Sequence, residues 1–339
     1  MKRRIMILAV GALVATFAAT ALAQEEEEVP IGVWQKKVDV RLNVLQGSFS
    51  DNWNGGGTGS VVWTGNIDGL WEKQFNERYN WRNTLKLAYG QTHNQERDAD
   101  GSLFWKRPDK TEDLIDFESM LRWTLDSGWD PYVALGLKSM FTDKNDPFGR
   151  TINFNPLSLR AAAGMSKKFI DQEKRSLLTR VGVVAIQNRR AFFLDTTGDE
   201  TQSEQSTEFG AELRVEYKVA ALDERVDWES ILVLTQPFYY SGKKTFEDGF
   251  NSVLPVPDDI ASYSTVVDVD WDNTFTANIT KVISVKLMVR WVYDKYDNTV
   301  KPVVDENGDL INEVDVFQAV RKAGQFRQAL ALGFGYTFN

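Results

Sequence analysis

FRQALALGFGYTF, residues Phe326–Phe338, alternates residue by residue between two kinds of side chain. Large side chains, apolar apart from Gln328, fall on one face, and small or polar side chains fall on the other. Strict alternation with a period of two is typical of a β-strand that has different environments on its two faces. Soluble β-sandwiches also contain such strands, so this stretch alone leaves a sandwich and a membrane barrel open.

The beginning of the chain predicts export from the cytoplasm. Lys2, Arg3 and Arg4 precede an apolar run over Ile5–Phe17, and Ala21-Leu22-Ala23 gives a small-x-small cleavage site. This order predicts a signal peptide over residues 1–23. The alternative is a membrane anchor, but the run is shorter than the ~20 residues that a spanning helix needs. We expect an acidic leader over residues 24–33 and one domain over residues 34–339.

The composition excludes several classes of function. The chain has 48 acidic and 39 basic residues, an acidic balance that argues against nucleic acid as a partner. It has no cysteine, which excludes disulfides, thiolate metal sites and cysteine nucleophiles. No second apolar run has the length of a spanning helix, but a closed β-barrel can still be integral to a membrane. The mean hydropathy of −0.35 is compatible with a barrel, since lumen-facing polar residues offset the apolar outer face.

About twelve alternating segments follow the leader, each close to the ~9–11 residues that a tilted strand needs to cross a bilayer. Their connections alternate without exception between short and long. The short ones are Gln74–Arg78, Asp126–Asp130, Asp171–Ser176, Ala220–Arg225 and Thr280–Lys281. The long ones are Ser48–Gly59, Thr92–Glu112, Phe141–Asn155, Asn188–Ser206, Pro237–Thr265 and Lys295–Gln325. Outer-membrane barrels have short periplasmic turns and longer extracellular loops, whereas a sandwich has no reason to sort its loops this way.

The aromatic residues give an independent indication. Most of the 11 tryptophans lie near strand ends, as in the two aromatic girdles at the interfaces of a bilayer. The sequence therefore predicts an all-β fold: a single antiparallel transmembrane β-barrel of about twelve strands in the bacterial outer membrane. The expected partners are outer-membrane lipid and lipopolysaccharide, periplasmic chaperones and the barrel-assembly machinery. Phe334, Tyr336 and Phe338 form the candidate assembly signal, because the final strand resembles the closing strand that this machinery recognises.

The faces that alternate with the apolar ones define the predicted lumen. Acidic and basic side chains are nearly balanced there, so we expect them to pair across a narrow, substantially filled lumen. Asp268, Asp270 and Asp272 form a single row of one sign. The row could favour cations, or it could pair with Lys286 and Arg290 on the next strand. These five residues are candidates for a constriction.

The segments QGSFSDNWNGGG (residues 46–57), WTGN (63–66) and WRNTLKLAYG (81–90) carry a resemblance to a known family. They resemble a family of unknown function, common in Bacteroidota, in which a QGSFSNWxxGG-like loop precedes a W-x-N-x-L-x-x-x-YG strand. This chain departs from that pattern by its Asp-Asn-Trp sequence and a third glycine. The resemblance implies an outer-membrane barrel, and it carries over no catalytic residue.

The glycine-rich part of this first long loop contains Trp53, Gly55, Gly56 and Gly57. Glycine permits positive φ angles and close approach of the backbone, so the loop could fold into the mouth of the barrel as a constriction or cap. The alternative is a flexible surface loop built from good turn formers.

Two further motifs could carry chemistry. His93, the single histidine, is expected in a long loop, where a hydrolase would need a nucleophile and an acid such as Asp98 converging on it. Asp305–Asp309 resembles part of a calcium loop but lacks the glycine and the glutamate that complete one, so a turn is favoured. We therefore predict a protein without catalytic residues, cofactor or metal site. The predicted function is a narrow channel for small solutes; the alternative is an interaction barrel whose loops bind a partner or surface polysaccharide.

Overall fold

The two ends of one sheet pair with each other. The computed structural model describes residues 30–48, 58–144, 146–172, 174–194, 197–221, 225–280, 282–321 and 323–338. In it the first and last strands run antiparallel, from Val38 opposite Phe338 to Asn43 opposite Gly333. The first strand also pairs with the second over its whole length. The predicted pairing that closes the barrel is therefore confirmed.

Twelve long strands of the described chain form this closed sheet, each hydrogen-bonded to its two neighbours in sequence order. The all-β antiparallel barrel predicted from the sequence is confirmed. The strands are β1 Trp34–Gly47, β2 Ser60–Gln74, β3 Tyr79–Arg97, β4 Asp109–Trp123, β5 Asp130–Ser139, β6 Leu157–Gln172, β7 Arg175–Phe193, β8 Thr201–Ala221, β9 Val226–Tyr240, β10 Asp268–Asn278, β11 Ile283–Tyr293 and β12 Gln325–Phe338.

The two faces of the strands have the polarity opposite to that of a soluble protein. Leu330 and Val183 point outward and expose 68% and 58% of their surface, while Arg180 points inward and exposes 1%. An apolar outer surface of this extent marks a surface that contacts a membrane or another protein. The predicted assignment of inner and outer faces agrees with this burial pattern.

Aromatic side chains cluster at both ends of the outer surface. At the end with the short turns, Tyr79 stacks on Trp123 with ring centroids 5.6 Å apart. Near the long loops, Trp63 and Tyr89 lie 5.9 Å apart. Two bands separated along the strands match the girdles that anchor a barrel at the two interfaces of a bilayer.

Several strands extend further than the sequence analysis predicted. β3 continues to Arg97 and carries a hairpin with Leu103–Trp105, so His93 lies in a strand opposite Val61 and not in a loop. Likewise β7 and β8 pair through the predicted loop Asn188–Ser206, leaving residues 194–200 as the connection. Alternation of apolar and polar residues identifies only the part of a strand whose two faces differ in polarity. The backbone hydrogen bonds of the sheet continue where both faces are polar.

The long connections hold the helical segments: α1 at Lys243–Asp248, a 3₁₀ helix at Ile260–Thr265, and α2 at Glu313–Ala319. None of the helices in the described chain has the length and apolar character to cross a membrane. Two short strands, Thr142–Asp143 and Ile152–Asn153, form a hairpin in another connection. These connections lie at one end of the barrel, here called the long-loop end, and the opposite end is called the short-turn end.

Candidate functional site

A group of paired charges, here called the belt, crosses one side of the lumen. Its centre is Glu216 on β8, whose carboxylate accepts hydrogen bonds from three arginines. The distances are 2.8 Å from Arg214 Nε, 3.1 Å from Arg180 Nη2 and 3.4 Å from Arg82 Nη1. The Glu216 side chain is 8% exposed. A buried carboxylate with this many charged donors is strongly held, because charge-assisted hydrogen bonds are stronger inside a protein than in water.

Three further ion pairs extend the belt across the strands. Glu118 on β4 lies 2.9 Å from Arg180 and 3.3 Å from Arg160 of β6. Arg160 also pairs with Glu212 on β8. The belt therefore connects strands β3, β4, β6, β7 and β8 through the interior. The predicted pairing of opposite charges across the lumen is present here.

The lumen has one chamber on each side of the belt. The inner chamber, about 480 Å³, extends to the short-turn end and is lined by residues such as Arg41, Asp68 and Asp227. The outer chamber, about 380 Å³, extends to the long-loop end and is lined by residues such as Lys138 and Asp268. Both contact the same layer of side chains: Thr84, Lys86, Glu118, Arg214 and Ile231.

The two chambers differ in the sign of their charges. Among the described residues, nine acidic and five basic side chains line the outer chamber. The inner chamber is lined by nine basic and six acidic side chains. The sequence analysis predicted a near balance of signs, and it did not predict that they are sorted along the lumen. The lumen is therefore more acidic on the long-loop side of the belt and more basic on the short-turn side.

The predicted acidic row lies entirely in the outer chamber. Arg290 forms two hydrogen bonds to Asp270, at 2.8 and 2.6 Å. Lys286, the other predicted partner, lines the inner chamber together with Asp68. Lys286 lies opposite Thr276 in the ladder, beyond the level of the row. The role of these residues as a constriction remains a prediction.

The two longest loops pack together into a small subdomain, here called the cap. It consists of residues 241–267 and 294–321. Its apolar core includes Phe246, Tyr296, Leu310 and Val316, with Tyr240 from the end of β9. Tyr240 and Tyr296 both donate hydrogen bonds to the backbone oxygen of Val300, at 2.5 and 2.8 Å. The loops are therefore folded against each other.

The cap also reaches into the mouth of the barrel. Asn298 donates a hydrogen bond to Glu208 on the inner face of β8, at 2.6 Å. The Ser206 hydroxyl donates to the backbone oxygen of Asn298, also at 2.6 Å. Arg190 of β7 lies 3.1 Å from Asp315 of α2. Residues 294–321 leave the barrel between β11 and β12, whereas these contacts are with β7 and β8. The loop therefore crosses the opening of the barrel.

The base of the cap is held by Arg321, which lies 2.5 Å from Asp294 and 3.1 Å from Asp297. Burial together with the charge of Asp297 raises the pKa of Asp294 to about 7. The pKa of Asp297 is instead lowered, since its attraction to Arg321 and Arg190 outweighs the effect of burial. Two carboxyl groups therefore share one guanidinium, and Asp294 is partly protonated at neutral pH.

The remaining predicted site residues do not join this arrangement. Trp53, Gly55, Gly56 and Gly57 lie outside the described residues, so their predicted role as a constriction or cap stays a prediction. Asp305–Asp309 forms a tight turn, in which the Asp305 carboxylate accepts the N–H groups of Asn307 and Asp309 at 2.8 and 2.9 Å. Within the described chain, no group of three or more His, Cys, Asp or Glu side chains is placed to hold a metal ion.

The cap was missed by the sequence analysis, although a signal for it was present. The final long loop contains Val316, Ala319 and Val320 at the spacing of one apolar helix face, and all three pack in the cap core. A surface loop in water does not need such a face. The spacing could have predicted a folded cap.

A family model matches residues 44–144, described as "Protein of unknown function (DUF3078)". The match covers less than half of the chain. It supports the resemblance to a family of unknown function, while the association with Bacteroidota and the quoted motifs stay predictions. A search of curated proteins found no match to the sequence.

Solved structures of outer-membrane proteins are similar to this barrel. An outer-membrane channel from Pseudomonas putida F1 is 12% identical, with 94% of this chain and 100% of that chain covered and a TM-score of 0.40. The translocator domain of the autotransporter NalP from Neisseria meningitidis is 8% identical, with coverages of 99% and 97% and a TM-score of 0.36. A bacterial polysaccharide outer-membrane secretin is 8% identical, with coverages of 90% and 98% and a TM-score of 0.30.

Proposed function

We propose that this protein is an outer-membrane barrel that forms a narrow channel for small solutes. The observation that carries the proposal is the divided lumen: two chambers lined by charged side chains lie in series between the mouth and the short-turn end. A barrel of twelve strands lies between the side-chain-filled eight-stranded barrels and the open sixteen-stranded porins, so a narrow lumen of this kind suits small solutes. The cap and the belt would keep the path narrow.

The proposed setting follows from the outer surface. An apolar exterior with two aromatic bands suits a bilayer, and the short turns would face the periplasm. Signal-peptide removal, chaperone escort, contact with lipopolysaccharide and recognition of Phe334, Tyr336 and Phe338 by the assembly machinery are parts of the same proposal. Within it the barrel needs no catalytic residue or cofactor.

Removing the part of the cap that crosses the mouth should increase conductance several-fold. Arg321 N donates to Lys295 O at 3.1 Å, so a short Gly-Ser linker can join these two residues in place of residues 296–320. The deletion removes Asn298 and α2 from the opening. Purified full-length and deleted barrels would be compared in planar bilayers.

The matched control is a shortening that leaves the mouth intact. Residues 98–102 form a self-contained turn, with Ser102 Oγ bonded to Asp98 at 3.0 Å, so replacing 99–101 should leave conductance unchanged. Heat-modifiable migration on gels would show that every variant is a folded barrel. Absence of channel events from both the full-length and the deleted barrel would overturn the channel proposal.

The second candidate function is binding of a partner or surface polysaccharide by the loops. A groove of about 230 Å³ at the long-loop end favours it, lined by Phe148, Arg150, Phe193 and Asp315 among others. Aromatic faces beside charged groups suit sugar and protein surfaces. Loss of cell-surface binding in a Phe148→Ala variant with unchanged conductance would support this function over the channel.

A further inference from the structure

An ion pair at the long-loop end joins two strands that are not neighbours. Arg327 on β12 donates two hydrogen bonds to the carboxylate of Glu112 on β4, with Nη1 3.1 Å from Oε1 and Nη2 bonded to Oε2. Strands β1, β2 and β3 lie between β12 and β4 in the closed sheet. The pair, here called the bar, therefore crosses part of the barrel opening.

Both residues of the bar lie at the rim of the outer chamber. Arg327 is opposite Arg290 of β11 in the ladder, and Arg290 lines the chamber. Leu114 and Asp116 are the next residues of β4 on the same face as Glu112, and both line the chamber as well. Glu112 and Arg327 are nearer to the long-loop ends of their strands. The bar therefore lies between the chamber and the long-loop side.

The bar and the cap cross different parts of the opening. The cap contacts β7 through Asp315 and β8 through Asn298. The bar instead connects β12 to β4. A solute that reaches the outer chamber from the long-loop end must pass beside these two elements, so their positions set the width of the entrance.

The exposure of the bar argues against a mainly stabilising role. The Arg327 side chain is 47% exposed, and the Glu112 side chain is 15% exposed. Ion pairs in contact with water contribute little to stability and weaken as the salt concentration rises. A bidentate arginine–carboxylate pair nevertheless fixes the relative geometry of its two side chains. The bar can therefore hold two long side chains across the opening without locking the barrel.

We infer that the bar limits the size of the solutes that enter the outer chamber, and that breaking it admits larger ones. The inference rests on the proposed channel and assigns a residue pair to its size selectivity. An ion pair within one hairpin does not cross the opening in this way. Lys106 and Glu96 form such a pair, because Lys106 directly follows the short strand that pairs with the end of β3.

Planar-bilayer recordings of the purified full chain, with polyethylene glycols of graded size in the bath, test this inference. These polymers are neutral, so the largest one that enters, here called the polymer cut-off, reports the width of the path. Arg327→Gln and Glu112→Gln remove opposite charges but the same contact. We therefore expect both to raise the cut-off and to increase conductance about twofold. Exchanging the charges, Arg327→Glu with Glu112→Arg, should restore both values because the pair can form again.

A reversible cross-link tests the same contact independently. The chain has no cysteine, so Arg327→Cys combined with Glu112→Cys introduces its only two thiols. A bismaleimide with an internal disulfide should join them, which mass spectrometry would verify. We expect the cross-link to lower the polymer cut-off and reduction of its disulfide to raise the cut-off again. Failure of the two thiols to be joined would contradict the placement of the bar across the opening.

The matched control is Lys106→Gln, which breaks an exposed ion pair at the same end of the barrel and should leave the polymer cut-off unchanged. Heat-modifiable migration would show that every variant is folded. A cut-off that does not rise in both single variants, an equal rise in Lys106→Gln, or no recovery on charge exchange would overturn the inference and leave the channel standing. Absence of channel events from every barrel would contradict the channel itself, and the inference with it.

Discussion

Replacing Glu216 by glutamine should lower the free energy of unfolding of the barrel by about 3–5 kcal/mol, the usual cost of breaking a buried ion pair by removing one partner. The substitution keeps the size of the side chain and removes its charge. Arg214 and Arg82 then lose their only ion-pair partner among the described residues, and Arg180 keeps Glu118 alone. Three guanidinium groups would repel one another in the narrow lumen.

The measurement is urea-induced unfolding of the barrel in lipid vesicles, followed by tryptophan fluorescence. Glu96→Gln is the matched control, because Glu96 pairs with Lys106 at 3.0 Å while both side chains are about half exposed. Exposed pairs of this kind contribute about 0–1 kcal/mol. Equal midpoints for the two variants would mean that the belt does not stabilise the barrel.

The architecture was predictable because the residue pattern of each strand shows which of its faces is apolar. Leu330 and Leu332 alternate with Ala329 and Ala331 whatever the partner strand is, so inner and outer faces can be assigned from one segment at a time. The alternation of loop lengths in the sequence predicts at which end of the barrel each strand begins. Neither inference needs a contact between distant residues.

The ends of the strands were less predictable for a physical reason. Gln187–Phe193 and Thr201–Thr207 pair through a complete backbone ladder, yet polar side chains occur on both faces. Hydrogen bonds between backbones do not depend on side-chain polarity, so the sequence pattern ends before the strand does. His93 was placed in a loop by this effect.

The belt and the two chambers could not be predicted from the sequence, because they depend on contacts across the lumen. Arg180 on β7 meets Glu118 on β4, and nothing in either segment specifies the other. Pairs on adjacent strands were easier, as with Arg290 and Asp270. To predict the separation of acidic and basic chambers, one must know the position of every strand along the barrel axis. The alternation within a single strand does not give that position.

Leu332→Arg on the closing strand should cost about 2–4 kcal/mol if the barrel spans a bilayer, as expected for arginine facing lipid near the midplane. Leu332 lies midway along Phe326–Phe338 and points outward with 47% of its surface exposed. The neighbouring Ala331 faces the lumen opposite Lys286. Ala331→Arg should therefore cost only the repulsion of two like charges across a ladder, up to about 1 kcal/mol.

The comparison between these two variants separates lipid contact from general damage to the strand. Both introduce the same side chain one residue apart in β12, so both disturb the pairing with β11 to a similar extent. We expect outer-membrane levels of folded protein to fall strongly for Leu332→Arg and slightly for Ala331→Arg, measured by heat-modifiable migration of membrane fractions. Greater loss for Ala331→Arg would place the apolar face of β12 away from lipid. Because an open edge in hydrocarbon leaves backbone groups unsatisfied, a loss of β12 pairing should also prevent the barrel from closing on β1.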